Sequence, residues 1–140
     1  MAETARTRPG TMRLTDALQY RLPLAGLVSI LHRVSGGIVF VLLPFIVWMF
    51  DTSVTSEISF NSFSSAFVAG IGFVPAWFVK LVVLALIWAC LHHLIAGLRH
   101  LWMDATHSVS NEFGRRSAVF TLVSSALLTV LLGAKLFGLY

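Results

Sequence analysis

Between residues 75 and 104 the chain reads PAWFVKLVVLALIWACLHHLIAGLRHLWMD. At a rise of about 1.5 Å per residue, a run of this length crosses a hydrocarbon core of roughly 30 Å. Inside lipid the backbone must satisfy its own hydrogen bonds, so so long and apolar a run predicts a helix. Two further apolar runs flank it, at 22–50 and 118–139, and the part from Ile38 to Phe50 carries no charge at all. Composition agrees. Of 140 residues, 57% are apolar and 11% are charged. Mean hydropathy is +0.85, whereas a soluble domain would be about a quarter charged. A water-soluble enzyme, a disordered tail and a disulfide scaffold are excluded. The single cysteine, Cys90, permits neither an internal disulfide nor the Cys-x-x-Cys-His attachment of a c-type haem. The expected fold is an all-α membrane protein with three transmembrane helices.

Charge predicts the orientation. The polar segment 1–21 carries Arg6, Arg8, Arg13 and Arg21 and has no apolar core, so it is not a cleaved signal. The stretch 51–74 holds Asp51 and Glu57 with no Lys or Arg, and 105–117 holds Arg115 and Arg116. The positive-inside rule then makes 1–21 a cytoplasmic N-terminal segment, 22–50 the first transmembrane helix and 51–74 a periplasmic loop. It makes 75–104 the second helix, 105–117 a cytoplasmic loop and 118–139 the third helix. Within 51–74, the run from Thr52 to Phe67 is expected to hold a short amphipathic piece. The basic pI reflects arginines gathered at one membrane face, not a nucleic-acid partner.

The chemistry lies in what interrupts the helices, because an ionisable group in a span costs several kcal/mol unless it faces a partner, a cavity or a cofactor. In the first run, Ser29, His32, Arg33 and Gly36 share one helical face. Alternatively, Arg33 simply snorkels to the headgroups. In the second run His93 and His100 stack on one face, with Ala96 and Gly97 between them. An imidazole over a small-residue floor, with cations nearby, suits a b-type haem, and Arg33, Arg99 and His100 are candidate propionate partners. The bland alternative is small residues packing helices and histidines bonding across them; His92, about 100° away from His93, fits that role. Asp104, four residues after His100, is placed to pair with it and hold one tautomer. In the third run, Ser124, Ser125 and Thr129 are expected to back-bond to carbonyls or pack against a neighbour.

The run Ser29-Ile-Leu-His32-Arg33-Val-Ser-Gly36, preceded by Arg8-Pro9, resembles the cytochrome b556 membrane-anchor subunit of succinate dehydrogenase. So does His93-Leu-Ile-Ala-Gly97-Leu-Arg99-His100-Leu-Trp-Met-Asp104. The resemblance implies a chain that performs no succinate chemistry itself. It implies a complex in a bacterial cytoplasmic membrane, with a flavoprotein carrying FAD, an iron–sulfur subunit carrying the clusters, and a second membrane anchor. Electrons from succinate oxidation in the tricarboxylic acid cycle pass through the iron–sulfur subunit to ubiquinone. By the same resemblance, haem b is shared between the anchors with His93 as this chain's axial ligand to iron. Ser29 and Arg33 line the quinone pocket, and His32, Arg33 and His100 lie toward the propionates. The physics is compatible. Ser29 supplies a hydroxyl donor, and Arg33 stabilises negative charge developing on a quinone oxygen without titrating.

Three other functions compete. A self-contained cytochrome b would place His32 and His93 on one iron. A fumarate reductase anchor would run the same electron path in the opposite direction. A small transporter would use the buried cations as an anion path, although the polar residues form one cluster rather than a series through the membrane.

Overall fold

The computed structural model of the chain describes residues 22–108 and 110–140, together with Thr15 and Tyr20. The remainder of the expected segment 1–21, including its four arginines, lies outside the described residues. Among the described residues five helices follow in order: α1 (Leu24–Val41), α2 (Leu43–Val54), α3 (Glu57–Ala66), α4 (Ala76–Thr106) and α5 (Asn111–Leu136). Three of them, α1, α4 and α5, are long and apolar enough to cross a membrane. Among the described residues the only extended pairing is an isolated bridge between Ile71 and Val74, so the expected all-α architecture is what the chain adopts.

The first apolar run is not one helix. It breaks at Leu42, whose φ and ψ are −90° and 5°, and restarts with Pro44 in the first turn of α2. Proline has no N–H, and its ring collides with the carbonyl four residues back, here that of Phe40. The hydrogen-bond ladder resumes on both sides of the break, Leu42 N to Ile38 O and Ile46 N to Leu42 O, each 3.0 Å. The second piece then continues past Phe50 to Val54.

Within 51–74 lies the short helix α3. Its start is set by a reciprocal cap: the Ser59 amide donates to Ser56 Oγ at 3.1 Å, and the Ser56 amide donates to Ser59 Oγ at 2.9 Å. Gly70 then turns the chain at φ 94°. A β-carbon there would collide with the carbonyl oxygen of Val74, and Ile71 and Val74 close the turn with mutual 2.9 Å bonds. Pro75 follows as the N-cap of α4.

Helix α4 has 31 residues and so extends about 46 Å. It stops at His107, which takes the left-handed conformation at φ 55° and ψ 27°, the usual geometry of a helix C-terminus. Helix α5 starts at Asn111, seven residues before the apolar run at 118. Ser110 caps it by accepting from the Phe113 amide at 3.2 Å, and Glu112 sits in its first turn, where the helix dipole favours a negative charge.

Helices α1, α4 and α5 pack against one another, and their common centre is made of small side chains. Val28, Ala96 and Ala118 meet there fully buried. The buried seam of α4 runs Val79, Val83, Leu86, Ala89, His92, Ala96, Arg99, and that of α5 runs Gly114, Ala118, Thr121, Ser125, Gly133. Such seams let helix backbones approach closely, as membrane helices do where no hydrophobic force drives them together. The large apolar side chains point the other way: Phe40 is 77% exposed and Phe120 70% exposed. An outward-facing apolar surface of this extent suits lipid, not water.

Candidate functional site

Three histidines from two helices gather where α1 faces α4. The rings of His32 and His93 stack with centroids 4.2 Å apart and planes 10° from parallel. His100 lies next to His32 at 5.2 Å, tilted by 55°. The two-turn spacing from His93 to His100 and the shared face of His32 and Gly36 are what bring these residues together. His32 occupies part of the groove expected over Gly97: a β-carbon on Gly97 would stand 3.5 Å from His32 Nε2.

One hydrogen bond sets the chemistry of His93. Its Nδ1 lies 3.0 Å from the backbone carbonyl of His32. A carbonyl only accepts, so Nδ1 carries the proton and donates. In the neutral ring Nε2 therefore keeps its lone pair, and no side chain or backbone group among the described residues bonds to it. The same carbonyl also accepts from Ser35 Oγ at 2.9 Å, and Ser35 is fully buried. Ser35 was not anticipated; its habit of bonding back to a carbonyl three or four residues earlier was the available signal.

The rest of α1's polar face is open. Ser29 is half-buried and Arg33 is exposed. Neither makes a side-chain hydrogen bond or ion pair within the described residues, so a hydroxyl and a guanidinium stand free on the face that carries His32.

His92 and Arg99 belong to the other side of α4. His92 is fully buried, its Nδ1 lies 3.2 Å from Ser125 Oγ, and its ring stacks on Trp88 at 5.4 Å. Its Nε2 is buried without a hydrogen-bond partner. This is the helix-bridging histidine of the bland alternative. Arg99 is only 9% exposed, and its Nε donates to Ser117 Oγ at 2.9 Å and its Nη2 to the Gly114 carbonyl at 3.2 Å. Both bonds run to α5, not to the histidine cluster, because Arg99 falls on the α5-facing seam one helical step from His100.

The expected pairing of His100 with Asp104 does not form. The only ion pair among the described residues is Arg116 with Glu112, at 2.6 Å on the surface. His100 turns toward His32 instead, and Asp104 is exposed, with its carbonyl next to His107 Nδ1 at 2.8 Å. On α5, Ser124 and Thr129 do back-bond, to Phe120 O at 2.6 Å and Ser125 O at 2.7 Å, and Ser125 both back-bonds to Leu122 O at 3.2 Å and reaches across to His92.

The arrangement fits a planar metal macrocycle held from one side. It offers an imidazole whose Nδ1 is bonded and whose Nε2 is free, a second imidazole fixing its orientation, and a glycine, Gly36, where any side chain would strike the ring of His93.

Comparison with known proteins points the same way. Residues 7–132 match the family described as succinate dehydrogenase/fumarate reductase transmembrane subunit. The chain is 33% identical over 123 residues to the succinate dehydrogenase cytochrome b556 subunit of Paracoccus denitrificans, covering 87% of this chain and 89% of that one. It is 32% identical to the protein of the same name from Coxiella burnetii, covering 84% and 90%. The protein of that name from Rickettsia felis is 27% identical, with 81% and 82% covered. The chain belongs to the succinate dehydrogenase/fumarate reductase transmembrane subunit family.

Proposed function

We propose that the chain is a haem-binding anchor of a succinate:quinone oxidoreductase, with His93 as its ligand to haem iron and Ser29 and Arg33 as its contribution to the quinone pocket. The observation that carries this is the bond from His93 Nδ1 to the His32 carbonyl, which leaves Nε2 as the nitrogen available to a metal. Metal-ligating histidines typically donate their other ring N–H in this way, which fixes tautomer and orientation.

A partner anchor would supply the haem's other ligand. The rings of His32 and His93 lie face to face at 4.2 Å and so do not direct their nitrogens at one shared metal, which argues against a self-contained haem on that pair. When bound, haem b would supply a one-electron store next to the quinone site. The chain's own residues bind and orient. His93 offers Nε2, and His32 holds the His93 ring by its carbonyl and its face. His32, His100 and Arg33 supply donors and positive charge toward the propionates. Ser29 donates its hydroxyl to a ubiquinone carbonyl. Arg33 stabilises negative charge developing on the quinone oxygen through its planar guanidinium. Gly97 and Ala96 keep the α1–α4 contact close. Arg99 serves the cluster indirectly, by holding α5 to α4.

In this account the succinate chemistry, FAD and iron–sulfur clusters belong to a flavoprotein and an iron–sulfur subunit. These would dock at the cytoplasmic face of a bacterial inner membrane, the face to which the positive-inside rule assigns Arg115 and Arg116. The test is the haem-to-protein ratio of complexes purified with His93→Ala and with His92→Ala. Loss in the first and retention in the second is expected; retention in the first contradicts the assignment.

A further inference from the structure

The two adjacent glycines of α1 have different surroundings. A β-carbon built on Gly36 would stand 2.8 Å from Cε1 and 3.1 Å from Nδ1 of His93, and 3.8 Å from its Nε2. The same atom built on Gly37 would meet nothing within 4 Å. The neighbour at Gly36 is not the free end of a flexible chain. The His93 ring is held at Nδ1 by the His32 carbonyl at 3.0 Å and along its face by the His32 ring at 4.2 Å. That carbonyl is in turn bonded by the buried Ser35 hydroxyl at 2.9 Å. A methyl group at position 36 therefore has to move the imidazole, stretch its bond to His32, or part α1 from α4.

We propose that Gly36 is a positioning residue for His93: its missing side chain lets the imidazole lie edge-on against α1, with Nδ1 on the His32 carbonyl and Nε2 unbonded. The inference rests on His93 as the haem ligand. It adds that the ligand's angle and basicity are set from α1, the helix that also carries Ser29 and Arg33, rather than by α4 alone. Displacing the ring weakens the Nδ1–H donation that raises ligand basicity, and it rotates the imidazole plane.

The test uses the assembled complex, purified in wild-type form and with Gly36→Ala, Gly37→Ala and His93→Ala. Two quantities are read: the electron paramagnetic resonance g-values of the ferric haem, which follow the imidazole planes, and the rate of haem loss to an excess of a haem-scavenging protein. Gly36→Ala is expected to shift the g-values and to speed haem loss by about 10- to 100-fold, the usual effect of disturbing a ligand's supporting contacts. Gly37→Ala is expected to match wild type in both. If Gly36→Ala does not assemble, the double variant Gly36→Ala/His93→Ala decides: assembly restored to the level of His93→Ala supports a clash with that ring, and continued failure overturns it. Wild-type g-values and haem loss in Gly36→Ala, or equal effects from Gly37→Ala, overturn the inference while leaving the ligand in place. Full haem content in His93→Ala overturns the ligand assignment and this inference with it.

Discussion

The Nδ1 of His92 lies 3.2 Å from the Oγ of Ser125, and this contact joins α4 to α5 one residue before His93. The dipeptide His92-His93 thus sends two imidazoles to opposite partners, one into the α4–α5 seam and one onto α1. The first bridges two helices, and the second keeps an unbonded Nε2.

That division predicts a double-mutant result. Ser125→Ala leaves a buried ring nitrogen without a partner and should lower stability in detergent by about 0.5–2 kcal/mol, the range for interhelical hydrogen bonds in membranes. In a His92→Leu background the same change should cost close to nothing, since both polar partners are then gone. Thermal unfolding of the four variants measures the coupling. Equal losses in both backgrounds would mean that the two side chains do not interact.

Arg99 gives a second contrast. Its guanidinium is bonded to Ser117 Oγ and the Gly114 carbonyl. Arg99→Gln should therefore loosen α5 and lower stability by about 1.5–3 kcal/mol, typical of hydrogen bonds to charged groups. The haem-to-protein ratio of the complex that still assembles should hardly change. A drop in haem ratio without a drop in stability would move Arg99 from the α5 seam to the haem.

For the proposed quinone pocket, Ser29→Ala and Arg33→Leu should reduce electron transfer to ubiquinone by about 100- to 1,000-fold, as removing a donor to developing oxyanion charge does elsewhere. Transfer from succinate to an artificial soluble acceptor should stay near wild type. Equal loss in the two assays would identify an assembly defect instead.

Much of this was legible in the sequence, and the parts that were not share a cause. Three apolar runs longer than a bilayer, and histidines at helical spacing beside small residues, are one-dimensional signals, and they led to the bundle and to His93 with His100; the family resemblance joined His32 to them. Direction around a helix is harder. Arg99 and His100 differ by one step of about 100°, and only the placement of α5 decides that the arginine turns away from the cluster. Asp104 shows the limit of spacing alone: four residues allow a pair with His100, but the imidazole found a better neighbour in His32. Pro44 was visible, yet whether it ends, bends or merely decorates a helix depends on what flanks it. Ser110 and Glu112 carry the start signal that extends α5 into the polar segment before 118.

The turn before α4 carries its own prediction. Gly70 combines a φ of 94° with no room for a β-carbon against the Val74 carbonyl. Gly70→Ala should destabilise the chain by about 1–3 kcal/mol. Gly72→Ala, at φ 58° but in open space, should cost less. Unfolding midpoints of the two variants test the order, and a larger loss at Gly72 would refute it.

The most direct measurement is the reduced-minus-oxidised optical spectrum of membranes containing the complete complex, set against identical membranes in which this chain carries His93→Ala at matched abundance. The account predicts a b-type haem signal of one haem per copy of the chain, abolished by the substitution. A signal of undiminished size in the substituted membranes, or none in the unsubstituted ones, would contradict it.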